Sequence, residues 1–260
     1  MKRTINFAKR NLKELFRDVI MYVFCIAFPI VLLVLFSLLN IFTQGNTPMF
    51  ELKALVPSIM MFSYTFVMLI MALLVSKDRQ TSFLRRLYSS PMRFYEYIIG
   101  YAFVGVFLGV CQSVICLISG FILSLIFVSE YIAILNCLLV LVSQMPMMLI
   151  CVFLGIFFGT ICNDKSAPAV ASIFISISGV LGGCWMPIET MGGFERFARF
   201  LPFYPSVIFG KISAKATNIF GKTYLLTQND ALGFIPLGIV LILSIALSCI
   251  AFKKSMVNDK

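Results

Sequence analysis

Long apolar runs separated by short charged segments form the main pattern of this 260-residue chain. Each run reaches the ~20 apolar residues that an α-helix needs to cross the hydrocarbon core of a bilayer. The pattern therefore predicts an all-α membrane protein that is a single transmembrane domain over residues 1–260, with six spanning helices. The predicted spans are Val19–Phe42, Ala54–Ser76, Ile98–Val128, Ile132–Cys162, Ala167–Trp185 and Ala231–Phe252. Only three residues separate the third span from the fourth, so we expect these two to form a tight antiparallel hairpin.

The first 18 residues precede the first span and carry a different pattern. Apolar side chains recur there at steps of three and four, and basic side chains line another face, which is typical of an amphipathic interfacial helix. The apolar positions are Ile5, Ala8, Leu12, Leu15 and Val19, and the basic ones are Lys9, Lys13 and Arg17. We expect this helix to lie on the inner membrane surface; a simple anchor that sets the topology is the alternative.

Residues 186–230 are too apolar for an ordinary solvent loop, and prolines interrupt them. Proline ends helices, so the segment predicts several short ones. Short re-entrant helices that enter the outer leaflet and return fit this pattern best, and a plain loop is the alternative.

Composition places the chain in a bilayer and sets its orientation. It is 60% hydrophobic and only 12% charged, against about a quarter charged in soluble domains. Its net charge of +10 comes from basic residues beside the apolar runs, which is how topology is encoded, so no nucleic-acid partner is expected. Of the 21 Lys and Arg residues, 15 fall on the side of the two termini. We therefore expect a multi-pass protein of the plasma membrane with both termini in the cytoplasm.

Several kinds of chemistry are absent from the sequence. There is no histidine, and none of the eight cysteines forms a C-x-x-C pair, so neither a metal site nor a disulfide framework is expected. No predicted span contains Asp, Glu, Lys or Arg, which disfavours an ion-coupled carrier. Gly221-Lys222-Thr223 resembles the end of a P-loop, but Ala216 stands where that motif requires its first glycine. We predict no catalytic site and no directly bound cofactor.

Small and polar residues within the spans predict how the helices pack. Gly105 and Gly109, like Gly155 and Gly159, are spaced so that two helix backbones can approach closely. The amides of Gln112, Asn136 and Gln144 are expected to form hydrogen bonds between helices, with contact to a substrate as the alternative.

A basic segment between the second and third spans, residues 77–97, offers a feature on the cytoplasmic side. Apolar side chains at helical spacing form a stripe there, and arginines flank it. The stripe is Phe83, Leu84, Leu87 and Tyr88, flanked by Arg79, Arg85 and Arg86. Ser90 and Pro91 are suited to the N-cap and first position of a following helix. Such a short helix fits a groove on a cytoplasmic partner or binds anionic lipid, and the residues alone leave both open.

The chain resembles a known family over essentially its whole length, and two stretches carry most of that resemblance. One is Lys77–Pro91 followed by Tyr97-Ile98-Ile99-Gly100-Tyr101, and the other is Gly182–Glu189 followed by Leu201-Pro202-Phe203-Tyr204-Pro205. In that order on a six-span frame they resemble type-2 ABC transporter permeases, the membrane subunits of bacterial ABC exporters. The family often has Glu and Gly where Asp78 and Gln80 stand here.

The resemblance implies a permease that assembles with a separate cytoplasmic ABC ATPase, which binds the ATP and Mg, and with a second permease copy or paralogue in the bilayer. Residues Arg79 to Tyr88 would then couple to the ATPase. The outer gate would be formed by Trp185, Pro187, Glu189, Phe197, Pro202 and Tyr204. The expected cargo is a hydrophobic or amphipathic drug, antibiotic or small peptide. Export of a lipid-linked glycan, or a non-transporting immunity or scaffold protein, are the alternatives.

Overall fold

The computed structural model of the chain describes residues 2–43, 48–81, 93–127, 130–218, 221–226 and 232–258. Within these ranges the secondary structure is helical, apart from one isolated β-bridge between Thr217 and Thr223. The helices are α1 (Lys2–Leu15), α2, α3 (Leu52–Gln80), α4 (Phe94–Phe127), α5 (Ile134–Ile161), α6 (Ala167–Leu181), α7 (Gly193–Arg199), α8 (Phe203–Ser213) and α9 (Phe234–Asn258). Helix α2 comprises a first turn, Val19–Tyr22, a π-helical turn, Val23–Ala27, and the α-helix Phe28–Phe42.

Among the described residues, five helices are long and apolar enough to cross a membrane, which confirms the all-helical membrane class. They are Val23–Phe42, Leu52–Gln80, Phe94–Phe127, Ile134–Ile161 and Phe234–Met256. These match the first four predicted spans and the last, with shifted ends.

The predicted fifth span differs from the helix that is present. Helix α6 has 15 residues, or about 22 Å at 1.5 Å per residue, against a hydrocarbon core of about 30 Å. The prediction carried it to Trp185, but the helix ends at Leu181 because Gly183 adopts a left-handed backbone, with φ of +63°. The six-span count therefore remains a prediction.

Short helices occupy the segment that the sequence marked as too apolar for a loop. A 3₁₀ turn, Ile188–Thr190, precedes α7 and α8. Nearly all of α8 is buried, from Phe203 to Lys211. The prediction of short helices is confirmed, and Pro187 and Pro202 directly precede the 3₁₀ turn and α8. Pro205, by contrast, lies inside α8 and does not interrupt it. The position of these helices relative to the bilayer stays a prediction.

Helix α3 lies at the centre of the structure, packed against α4, α5, α6 and α8. Almost every residue from Leu52 to Val75 is buried, whereas α2, α4, α5 and α9 each keep an exposed apolar face. Exposed Leu, Ile and Phe side chains on those faces suit contact with lipid. A mostly apolar helix that is buried on all sides behaves as the core of the domain.

Glycines allow α5 to approach the neighbouring helices closely. A Cβ added at Gly155 would lie 2.7 Å from the carbonyl oxygen of Met68 in α3, and one at Gly159 would lie 2.7 Å from that of Ala72. On α4, a Cβ at Gly105 would lie 2.6 Å from Val152.

The α4–α5 pairing is antiparallel, in agreement with the predicted hairpin. Gly105 faces Val152, and four residues later on α4, Gly109 faces Met148, four residues earlier on α5. The two chains therefore run in opposite directions along their contact.

We predict opposite effects of Gly→Ala at two helical glycines. In an open helical site this change stabilises by up to about 1 kcal/mol. Gly238 in α9 has no atom within 4 Å of an added Cβ, so Gly238→Ala is expected to hold or raise the thermal midpoint in detergent. Gly155→Ala places the new methyl against the α3 backbone and is expected to cost about 1–3 kcal/mol. Equal midpoints for the two variants would contradict the close helix contact.

Candidate functional site

A buried carboxylate joins three helices at the end of the bundle where α3 finishes. Asp78 lies in the last turn of α3 and is fully buried. Nη1 of Arg10 in α1 lies 2.9 Å from its Oδ1 and donates a hydrogen bond of 3.0 Å to its Oδ2, which also accepts one of 2.7 Å from the Tyr101 hydroxyl in α4. A buried charge requires both a counter-ion and hydrogen bonds, and this arrangement supplies them.

Further ion pairs extend this contact between α1 and α3. Arg10 also pairs with Glu14 one turn along α1 at 2.6 Å, and Glu14 in turn lies 3.5 Å from the ammonium of Lys77. The charges alternate in sign from α1 to α3, so the two helices are held together where the chain leaves α3.

Helix α1 packs on the protein with a face that only partly matches the predicted stripe. Ala8 and Leu15 are buried as expected, whereas Ile5 and Val19 are exposed. Phe7 and Asn11 are buried in their place. The Phe7 ring packs edge-on against the rings of Tyr97 and Tyr101 in α4, with centroids 5.6 and 4.9 Å apart. The buried face of α1 differs from the predicted one because Gly100 leaves space on α4 into which Phe7 fits.

The last turn of α3 also contacts the end of α5. Ser76 donates a hydrogen bond of 2.5 Å to Asp164, in the connection from α5 to α6. Arg79 donates to the carbonyl oxygen of Thr160 in α5. Arg79, predicted as part of the ATPase-coupling segment, thus belongs to the last turn of α3 and uses its guanidinium within the protein.

The other predicted coupling residues follow directly from this turn. Phe83, Leu84, Arg85, Arg86, Leu87 and Tyr88 lie outside the described residues, so their helix remains a prediction. The described residues end at Thr81 and resume at Arg93, immediately before α4. Both ends of the segment are therefore attached to helices that the Asp78 contacts hold together.

Sequence reasoning missed the role of Asp78 and Arg10. It placed the end of the second span at Ser76 and treated the neighbouring charges as one basic segment. A signal was present, since Asp78 is the only acidic residue between Glu51 and Glu96. An isolated carboxylate beside an apolar run indicates a partner elsewhere in the chain.

At the opposite end of the bundle, three predicted gate residues meet around a buried lysine. Pro187, Glu189 and Tyr204 line a small cavity together with Lys211, which is only 5% exposed. The Tyr224 hydroxyl donates to Glu189, and the Lys211 ammonium lies 5.4 Å from the Tyr224 ring centroid. Burial lowers the pKa of Lys211, an effect that the charge of Glu189 opposes. Lys211 was not among the predicted gate residues.

The remaining predicted gate residues lie in three other surroundings. The Trp185 ring stacks on Phe36 of α2, with centroids 6.0 Å apart, and meets Phe62 of α3 edge-on at 4.6 Å. Pro202 is buried at the start of α8, and Phe197 of α7 is exposed on the surface. The structure therefore gathers half of the predicted gate and leaves Phe197 outside it.

An amide attaches this region to α5. Gln144 donates to the carbonyl oxygen of Ser206 in α8, and the Ser206 hydroxyl donates back to Gln144, both at 2.9 Å. The predicted interhelix role of Gln144 is confirmed. Both amide atoms of buried Gln112 lack a hydrogen-bond partner among the described residues.

We predict that Arg10 and Asp78 are energetically coupled. Arg10→Gln leaves a buried carboxylate without its counter-ion, whereas the double variant with Asp78→Asn removes both charges. Because Arg10 keeps 36% of its side chain exposed, solvent screens the pair, and we expect a coupling of about 1 kcal/mol. A double-mutant cycle on thermal midpoints in detergent measures it.

The ion pair between Arg199 and Glu195, one turn apart on α7, serves as the control for that cycle. Pairs of this local kind are worth about 0.3–0.5 kcal/mol. Additive effects at Arg10 and Asp78, or a coupling no larger than that of the α7 pair, would contradict the structural role of the cluster.

No curated protein and no solved structure matches this chain. The family model described as ABC-2 type transporter matches residues 4–208, which include nearly all of α1, all of α2 to α7 and just over half of α8. The match covers most of the chain, both stretches that carry the resemblance and the helices that contact Asp78. The chain therefore belongs to the ABC-2 type transporter family.

Proposed function

We propose that this chain is the permease subunit of an ATP-driven exporter, which moves a hydrophobic or amphipathic compound out of the cell. Membership of the family makes it the membrane component of a transporter, one that is not itself catalytic. The sequence contains no complete P-loop, so the ATP and Mg would be bound by a separate cytoplasmic ATPase. The observation that carries the proposal is the attachment of the basic segment to the Asp78 contacts.

Those contacts give the proposed coupling a physical route. Residues 82–92 follow the last turn of α3, which is bonded to α1 through Arg10, to α4 through Tyr101 and to α5 through Thr160. A partner that displaced this segment would therefore move four helices together. These contacts transmit a displacement from one helix to the next because the tightly packed interior of a protein has low compressibility.

The exposed face of α6 supports assembly with a second permease copy. Ala169, Ser172 and Ser176 are exposed along it, and each serine hydroxyl bonds to a carbonyl oxygen of its own helix. Small residues of this kind allow close helix–helix contact in membranes. We propose that two copies, or this chain and a paralogue, meet along α6 and form the path between them.

The first experiment is affinity purification of the full chain in mild detergent, with mass spectrometry of what co-purifies and an assay of ATP hydrolysis. We expect a P-loop ATPase with activity. A protein that purifies alone under several conditions would contradict the exporter and favour the scaffold or immunity alternative.

Variants of the basic segment test the coupling surface. Leu84→Asp combined with Leu87→Asp places two charges on the predicted apolar stripe, so we expect ATPase co-purification to be lost while membrane insertion is retained. Leu225→Asp with Leu226→Asp is the matched control, because both side chains are exposed at the opposite end of the protein. Normal recovery of the ATPase by the first pair would show that the stripe is not the docking surface.

Topology has its own test. Phe197 is 58% exposed on α7, so Phe197→Cys is expected to react in intact cells with a membrane-impermeant thiol reagent, above the labelling of the parent protein. Lys9→Cys on α1 is expected to react only in inverted vesicles. The reverse pattern would overturn the predicted orientation of both termini.

A further inference from the structure

A second cavity, of about 510 Å³, lies at the end of the bundle opposite Asp78. Its walls come from the end of α2, the first turn of α3, the connection between α4 and α5, and Thr217. Both polar and aromatic side chains line it, which is the composition of a site for an amphipathic small molecule.

The cavity wall carries a carboxylate without a cationic partner. Glu51 accepts a hydrogen bond of 2.6 Å from the Thr217 hydroxyl. No Lys or Arg in the described ranges lies within ion-pair distance of it, whereas the other carboxylate of the wall, Glu130, is paired with Lys53. With two carboxylates and one ammonium, the lining has a net negative charge, which favours a cationic ligand.

A buried hydroxyl in the same wall also lacks a partner. Ser37 of α2 is 4% exposed, and its Oγ makes no hydrogen bond within the described part of the chain. Serines in helices commonly bond to the carbonyl oxygen of the preceding turn, as Ser113 does with Gly109 at 2.7 Å. An unpaired buried hydroxyl is unfavourable, and Ser37 belongs to the cavity lining, so its hydroxyl is suited to bond to a molecule there.

Aromatic rings complete the wall. Phe50 and Phe127 both line the cavity. Phe50 stacks on Phe36 with centroids 5.3 Å apart, and Phe36 stacks on Trp185 at 6.0 Å. Aromatic faces attract ammonium groups and also provide apolar contact area.

We propose that this cavity binds the protonated amino group of an amphipathic amine. The ammonium donates hydrogen bonds to the Glu51 carboxylate and the Ser37 hydroxyl, and the apolar part of the ligand packs against Phe50 and Phe127. The Lys53–Glu130 pair lies at the same wall and leaves Glu51 as the charge available to the ligand. The inference that such amines are transported rests on the proposed export function, whereas their binding to the cavity does not depend on it.

The structure supplies its own reporter for binding. Trp185 is the single tryptophan of the chain and is joined to the cavity through Phe36 and Phe50. The full-length protein, purified in a non-ionic detergent, is titrated with 4-phenylbutylamine while tryptophan fluorescence is recorded. The neutral 4-phenylbutan-1-ol, which has the same apolar part, and the anionic 4-phenylbutyrate, whose apolar part is one methylene shorter, serve as ligand controls. We expect saturable binding of the amine and at least tenfold weaker binding of the other two.

Variants assign the binding to named residues. Glu51→Gln keeps an acceptor for Thr217 but removes the charge, and we expect at least about tenfold weaker amine binding, in keeping with a charged hydrogen bond. Ser37→Ala is expected to weaken it about threefold or more. Glu195→Gln, on α7 at the same end of the molecule and outside the cavity, is expected to bind as the parent does. The elution volume in size-exclusion chromatography and the thermal midpoint verify that each variant is folded.

Several results would overturn the proposal. They are equal binding of the alcohol and the amine, preference for 4-phenylbutyrate, or unchanged amine binding in both Glu51→Gln and Ser37→Ala. Since the titration uses the protein without an ATPase, its failure is distinguishable from that of the exporter. An ATPase that co-purifies with a protein that binds no amine leaves export standing, and amine binding without an ATPase leaves the site standing.

Discussion

The close contact of the α3 and α5 backbones is the interaction on which the rest of the structure depends. Gly155 and Gly159 place the α5 axis near enough to α3 that an added Cβ would touch α3 carbonyl oxygens. With α5 so close, and with α4, α6 and α8 on its other sides, α3 has almost no exposed surface between Leu52 and Val75. Interiors packed in this way have low compressibility, so α3 acts as a rigid rod within the bundle.

The two ends of that rod carry different polar contacts. One end holds Asp78 with its partners on α1 and α4, and the other holds Glu51 and Lys53 beside the cavity. The 29 residues between those ends span about 43 Å. A displacement at the end that leads into the basic segment would therefore reach the cavity end through one helix, without passing from loop to loop. This arrangement connects the proposed coupling segment and the proposed amine site physically.

Hydropathy was sufficient to predict the class, the first four long helices and the last one. Each of these apolar runs is longer than the apolar segments of helices in compact soluble proteins. It failed at Leu181, where a left-handed glycine ends α6 inside an apolar stretch. It also failed for Phe7 and Asn11, since several faces of α1 contain apolar residues and only the space above Gly100 selects one. The surroundings of Lys211 could not be predicted from the sequence next to it, because Glu189 and Tyr224, which line the same cavity, are distant in the chain.

The π-helical turn Val23–Ala27 has a consequence for the whole of α2. In that turn the Phe28 amide bonds five residues back, to Val23, so one extra residue is accommodated. The buried positions Met21, Cys25, Pro29, Leu33 and Ser37 recur at steps of four. In a regular α-helix four such steps would drift about 160° around the axis, and one extra residue removes about 100° of that drift. The wide turn thus acts as a phase correction: it keeps one stripe of α2 facing the bundle along its length, and it brings Ser37 to the cavity rather than to lipid.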